Sequence, residues 1–258
     1  MKGELRFAPF LTGCDMPRKI IYRSWPLILL LGAAVRSDGA SLTVAPVRLQ
    51  LSAARPYTVL RITNDGSESV TLHARAFRWG FDAKDELLTA TDELILNPPM
   101  VTLRPKASQV IRIGLRSRME SSVEEIYRLI LEEVPAARAK VEGTQISTIL
   151  KMSIPVFAIP RNAVAPRLEW TAQRDASGAV RISAANHGQA HVQIKGFAVS
   201  HHSHRDQTQK IEEIFYLLPS QRREWILKSP DFSAAEKLVV KALTDAKNIP
   251  ETATVDVN

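Results

Sequence analysis

From Ser41 onward the chain is written in short runs where apolar and polar residues alternate, the two-residue period of a strand with one buried face. Leu42–Leu51 alternates around Pro46, Thr58–Thr63 forms a second run, and Asn64-Asp65-Gly66 is a strong turn signal. Val70–Trp79 sets Val70, Leu72, Ala74 and Ala76 against Thr71, His73, Arg75 and Phe77. Leu94–Leu96 precedes Asn97-Pro98-Pro99, and Gln109–Leu115, Tyr127–Val134 and Ile146–Ile159 follow. This predicts about eight strands in roughly 120 residues, the spacing of an all-β sandwich. Residues 117–126 and 136–145 lack strand patterning and are predicted to be exposed loops. The proline pairs at Asn97-Pro98-Pro99 and Val134-Pro135 are expected to fix turns, one of them through a cis bond.

Pro160-Arg161-Asn162-Ala163 breaks the pattern and reads as a linker. Seven further strands are predicted beyond it: Arg167–Gln173, Val180–Ala185, Val192–Ser200, Ile211–Leu218, Glu224–Leu227, Lys237–Leu243 and Thr252–Val257, with Asn186-His187-Gly188 as a turn. The division predicts a first domain over 41–160 and a second over 161–258. No repeat of solenoid period is present.

The first forty residues do not share this texture. Arg18, Lys19 and Arg23 precede an apolar run from Trp25 to Val35, and Ser37, Gly39 and Ala40 supply small residues after it. This is the form of a secretory signal peptide, with cleavage expected near Ala40. The run is shorter than the roughly 20 residues of a membrane-spanning helix, so no stable membrane insertion of the mature chain is expected. Met16, directly before Pro17, Arg18 and Lys19, is the expected true start. The alternatives are an uncleaved anchor, or a lipoprotein signal at Leu11-Thr12-Gly13-Cys14, whose apolar lead is short and broken by Pro9.

Composition sharpens this reading. At 45% hydrophobic and 24% charged, the 258-residue chain is ordinary for a globular protein and excludes wholesale disorder. Loss of residues 1–40 removes six Lys/Arg and three acids, so the formal +7 of the whole chain falls to +4. It also removes Cys14, the sole cysteine, leaving an exported protein with neither disulfides nor thiol chemistry.

Enzymatic motifs are missing: no G-x-S-x-G, H-E-x-x-H, P-loop or dinucleotide fingerprint is present. No enzyme activity and no cofactor are therefore expected. His201, His202 and His204 are the one histidine cluster. His202 and His204 would share a strand face, but they lack a third ligand nearby, so a solvated loop rather than a metal site is expected. Arg104, Lys106, Arg112, Arg116 and Arg118 crowd fifteen positions without interleaved aromatics, so edge-protecting charge is favoured over nucleic-acid binding.

The informative segment is Ile146–Pro160. Ile146, Thr148, Leu150, Met152 and Ile154 share one face of a strand, and Ser147, Ile149, Lys151 and Ser153 share the other. Periodicity alone favours a regular core strand. The other reading is an edge that presents an apolar row for β-strand addition.

The order of several segments bears on that choice. Pro46-Val-Arg-Leu-Gln-Leu51 is followed by Leu60-Arg-Ile-Thr-Asn-Asp-Gly66 and Arg75-Ala-Phe-Arg-Trp79. Then come Asn97–Pro105, Gln109–Ile113, Tyr127-Arg-Leu-Ile-Leu-Glu-Glu-Val-Pro135 and Ile154–Pro160. The series resembles the periplasmic pilus chaperones of the PapD superfamily, most closely the archaic, spore-coat-U-associated branch of chaperone–usher systems. The resemblance covers residues 42–160 and extends loosely to Tyr216–Trp225. It implies two immunoglobulin-like sandwiches at an angle with a cleft between them. It implies a periplasmic protein that lends its last first-domain strand to incomplete pilin-like subunits and delivers them to an outer-membrane usher. The donor face would be Ile146, Thr148, Leu150, Met152 and Ile154. Such chaperones also anchor the subunit's terminal carboxylate with basic residues in the cleft. Here the anchor candidates are Arg128 first, then Arg48 and Lys151. The lysine of the usual pattern falls on Pro155, so the usual basic pair is incomplete. The exposed edge also allows self-association when the chain is free.

Two other classes compete. A structural pilus component or adhesin with immunoglobulin-like domains should carry an N-terminal donor extension, which the mature chain lacks. A carbohydrate-binding sandwich should expose tryptophans on one face, whereas Trp79, Trp170 and Trp225 are scattered and expected in cores.

Overall fold

The computed structural model describes residues 41–82, 85–117, 120–135, 149–162, 164–203, 208–227, 232, 235–246 and 252–258. The predicted signal peptide, Cys14, Met16, the loop 136–145, Ile146, Thr148, Arg118 and His204 lie outside the described residues.

The chain forms two immunoglobulin-like β-sandwiches. In the first, one sheet has the order β1-β3-β8-β6, from β1 (Leu42–Ala45), β3 (Tyr57–Asn64), β8 (Ser108–Leu115) and β6 (Leu94–Asn97). The facing sheet runs β2-β10-β9-β4-β5, from β2 (Leu49–Ser52), β10 (Lys151–Ile159), β9 (Glu125–Glu133), β4 (Val70–Asp82) and β5 (Asp85–Ala90). A short β7 (Met100–Leu103) also pairs with β4. Leu60, Ile62, Leu72, Ile111, Leu129 and Val156 project from the two inner faces into one buried core, as the period-two pattern requires.

The second sandwich packs β11 (Leu168–Arg174), β12 (Val180–Asn186) and β16 (Arg222–Ile226) against β14 (Thr208–Ile211), β13 (Val192–His201), β17 (Lys237–Thr244) and β18 (Thr252–Asp256). The short β15 (Phe215–Leu217) pairs with β13. Trp170, Phe197, Phe215 and Trp225 interlock in this core, with ring centroids 4.7–6.2 Å apart.

The structure refines several sequence expectations. The alternating run Leu42–Leu51 is two strands. Pro46 interrupts it after a cis Ala45–Pro46 bond, and the chain passes from one sheet of the sandwich to the other. The Asn97–Pro98 bond is also cis. β5 and β7 were not visible in the pattern: β5 is an exposed edge strand and β7 is four residues long. β9 begins at Glu125, so the end of the predicted 117–126 loop is strand. Ile211–Leu218 divides into β14 and β15.

Candidate functional site: a half-paired strand and an arginine pair

β10 pairs antiparallel with β9 along most of its length, from Lys151↔Glu132 to Ala158↔Glu125. On its other side it pairs with β2 only from Val156 to Ile159, in parallel. From Lys151 to Pro155 that second edge has no partner strand among the described residues. The Glu133 amide donates to the Leu150 carbonyl at 2.9 Å. This bond sets the phase of the ladder. Met152 and Ile154 turn their backbone groups toward β9, and Lys151, Ser153 and Pro155 turn theirs to the open edge. Pro155, which has no N–H, sits where its loss breaks no ladder bond.

The candidate donor residues separate along this strand. Ile154 is 5% exposed and belongs to the first core, and Met152 packs against that core half-buried. Leu150 is half-buried just before β10, and Ile149 on the opposite face is exposed. The outer face of β10 changes character along its length. Lys151 and Ser153 are exposed, whereas Pro155 and Phe157 are buried.

Phe157 is buried by the second sandwich. Its ring stacks on His191 at 3.5 Å and 8°, and lies 5.4 Å from Tyr216. Trp79, Ile126, Phe157 and Leu218 form an apolar cluster where the sandwiches meet. Glu124, 6% exposed, ties the loop before β9 to the second sandwich. Its Oε2 accepts from the His191 backbone amide at 2.7 Å and lies 2.7 Å from His191 Nδ1. Beside this contact a cleft of about 760 Å³ opens between Arg78–Phe81 and Ser121–Ile126 on one wall and Leu218–Arg222 on the other.

Two of the three basic candidates come together at Pro155. β9 places Arg128 opposite Pro155, and the chain entering β2 carries Arg48 past the same proline, so the two arginines straddle Pro155. Tyr216 lies within electrostatic reach of both. Their surroundings differ. Arg48 Nη1 pairs with Asp245 Oδ2 at 2.7 Å, and Asp245 Oδ1 accepts the Gln193 amide at 2.8 Å. Burial works against the Arg48 charge, but the hydrogen bond and charge of Asp245 outweigh it and raise the pKa.

The Arg128 guanidinium carbon lies over the Trp79 ring, 3.5 Å from its centroid, with the side chain only 16% exposed. Its ion pair is to Glu86 Oε1 at 3.4 Å, and its Nε is buried with no hydrogen-bond partner among the described residues. Burial lowers its pKa, and Glu86 and Tyr216 offset this only in part. A desolvated guanidinium with donors to spare is a site for an oxyanion. Lys151 is exposed, in register with Glu132, and four residues along β10 from Pro155, roughly 13 Å away. The structure does not bring it to the arginine pair.

Sequence reasoning missed the Trp79 platform, Glu86 and the Glu124–His191 clasp. Trp79 and Arg128 are 49 positions apart, and no local pattern joins them. Trp79 is 7% exposed, and Trp170 and Trp225 are half-buried against the second core, so none forms an open platform for sugar rings. Among the described residues no three His, Cys, Asp or Glu side chains gather as a metal site.

The fold and site define a class: a two-domain immunoglobulin-like protein in which, among the described residues, a strand edge is left half-open beside a pair of arginines that flank Pro155. Residues 41–163 match the family model of pili and flagellar-assembly chaperones, PapD N-terminal domain. That match covers just under half of the chain and identifies the first domain as a PapD-like N-terminal chaperone domain. Solved structures of similar fold include the CsuC–CsuE chaperone–tip adhesion subunit pre-assembly complex from archaic chaperone–usher Csu pili of Acinetobacter baumannii. That chain is 19% identical, with a TM-score of 0.63 over 85% of this chain and 100% of that one. The E. coli chaperone DraB is 15% identical, with a TM-score of 0.57 over 85% and 97%. The Salmonella enterica SafA pilin–SafB chaperone complex gives 11%, 0.58, and 84% and 97%. At such identities the likeness is one of fold. No curated protein matches the chain.

Proposed function

We propose that this protein is a periplasmic chaperone of the chaperone–usher type. It holds pilin-like subunits, of the spore-coat-U kind, by strand addition and passes them to an outer-membrane usher. The observation that carries this reading is the edge of β10 from Lys151 to Pro155, which has no partner strand among the described residues, next to an arginine whose Nε has no acceptor among them. An incomplete sandwich pairs its backbone with that edge and receives an apolar row from the segment leading into it: Ile146, Thr148, Leu150 and Met152, with Ile154 at its end. Each large side chain buried contributes about 1.5–3 kcal/mol. A one-residue slip would offer Ser147 and Lys151 instead, so the row also fixes register. Ile154 and Met152 already serve the chaperone's own core, so Leu150 and the residues before it supply most of the new contact.

The terminal carboxylate of the subunit docks on Arg128, with Arg48 beside it. Arg48 also orients the domains through Asp245, and Lys151 is the weakest of the three candidates. Residues 1–40 act as the export signal, with 41–160 and 161–258 as the two domains. The protein works by binding, without catalysis or a cofactor.

The test is co-expression of the exported chain with subunits encoded beside its gene, followed by native mass spectrometry of periplasmic complexes. The reading predicts a one-to-one complex that Leu150→Asp abolishes while the variant stays folded. Retained complex in Leu150→Asp sinks the donor assignment, and a polymer of the chain itself points to a structural pilus component.

A further inference from the structure

The two arginines that flank Pro155 are held by the protein's own acids in different ways. Arg48 is satisfied at 2.7 Å by Asp245, a carboxylate that a backbone amide also fixes. Among the described residues Arg128 has one acid contact, a 3.4 Å ion pair to Glu86. Glu86 stands on β5, the last strand of its sheet, opposite Phe81 of β4. Its side chain is 46% exposed, and this is its one ion pair among the described residues. A buried cation is thus matched with a carboxylate that is half in water and barely within reach.

We propose that Glu86 is a resident carboxylate that occupies Arg128 until the terminal carboxylate of a bound subunit displaces it. The proposal rests on the reading of Arg128 as the subunit anchor. An uncompensated buried guanidinium is costly, so some internal acid near it favours the folded free protein. A tightly fixed acid, as at Arg48, would shut the site. Glu86 avoids that. It can swing back into water at little cost, because a half-exposed ion pair contributes little. The incoming carboxylate sits on the Trp79-backed guanidinium and can engage two of its donors, which Glu86 at 3.4 Å does not. The acid therefore weakens subunit binding slightly, and this suits a carrier that must release what it holds.

The test uses the purified exported chain and two synthetic strand peptides of alternating valine and threonine, one ending in a free carboxylate and its twin in an amide. Calorimetry is run on wild type, Glu86→Gln and Arg128→Ala, each checked for an unchanged thermal transition. Glu86→Gln should bind the acid peptide about two- to fivefold tighter, the scale of a half-exposed ion pair, with the amide peptide unchanged. Arg128→Ala should erase the preference for acid over amide. If Arg128→Ala erases that preference but Glu86→Gln fails to exceed wild type on the acid peptide, the anchor stands and the displacement proposal is overturned. Failure of any binding by Glu86→Gln overturns it too. If Arg128→Ala keeps the preference, the anchor reading itself falls and the proposal with it.

Discussion

At the end of β3 and at the end of β12 the chain writes Asn-x-Gly, and both asparagines are buried. Asn64 Nδ2 donates to the carbonyls of Glu68 and Leu103 at 2.7 and 3.1 Å, and Asn186 Nδ2 to those of Ala190 and Leu217 at 2.8 and 3.0 Å. Each Oδ1 accepts the amide of its own glycine at 3.0 Å. Each asparagine backbone also bonds a nearby turn, at Lys106 and Ala107 in one sandwich and at Ser220 and Gln221 in the other. Lys106 and Ser220 both take positive φ, 61° and 62°. The two sandwiches therefore close one joint with the same bonds.

They use it differently. In the first sandwich the turn Arg104–Lys106 lies exposed. In the second the corresponding turn packs Leu218 against the Trp79 cluster and lines the cleft. The second joint is also tighter, since a Cβ on Gly188 would come within 2.4 Å of the backbone of Ala165 and Arg167. The same device is surface in one domain and interface in the other. Meanwhile the first sandwich leaves the edge of β10 from Lys151 to Pro155 without a partner strand among the described residues. A shared framework supplies stability, and the chemistry of the cleft comes from what the two copies do not share.

This comparison can be broken most forcibly at the asparagines. Asn64→Ala and Asn186→Ala should each cost about 3 kcal/mol in urea titrations, because each strands buried backbone groups that the side chain satisfies. Only Asn186→Ala should also weaken subunit capture, since its joint forms the cleft wall; equal effects on capture would erase the distinction. Next in size is Arg48→Ala, which removes the ion pair joining the sandwiches. About 1 kcal/mol is expected, because the pair is only part-buried. The loss should show as separation of the two domains' unfolding transitions, and a single unshifted transition would deny Arg48 an orienting role.

The smallest effect concerns pH and the first sandwich alone. The hydrogen bond from Arg78 holds the Glu93 carboxyl below the usual carboxylate range, against the opposing pull of burial. A depressed folded pKa contributes stability above the unfolded value of about 4.3 and loses it as pH falls below that. Glu93→Gln should flatten the acid limb of the first domain's stability by well under about 1 kcal/mol, since both side chains are more than a third exposed. The second domain's acid limb should not move.

Most of the fold was readable because strands with one wet face repeat every two residues. Leu72, Ala74 and Ala76 of β4 fall inward as their spacing says. The exceptions have physical causes. β5 is a polar edge hairpin that buries little, so it carries no period. The break at Pro46 hides in a run whose alternation continues across a change of sheet. The site was less legible. Arg128 and Arg48 were legible only through the family resemblance, and what sets them apart, Trp79 under one and Asp245 beside the other, depends on residues 49 and 197 positions away. The open edge of β10 depends on where β2 stops pairing, which no single segment encodes.

The most direct measurement is amide hydrogen exchange across Lys151–Ile154, in the free chain and in its complex with a subunit. The ladder phase predicts slow exchange at Met152 and Ile154 in both states, because their amides face β9. Lys151 and Ser153 should exchange fast in the free chain and become protected in the complex. Lys151 and Ser153 amides that stay unprotected in a formed complex would contradict strand addition at this edge.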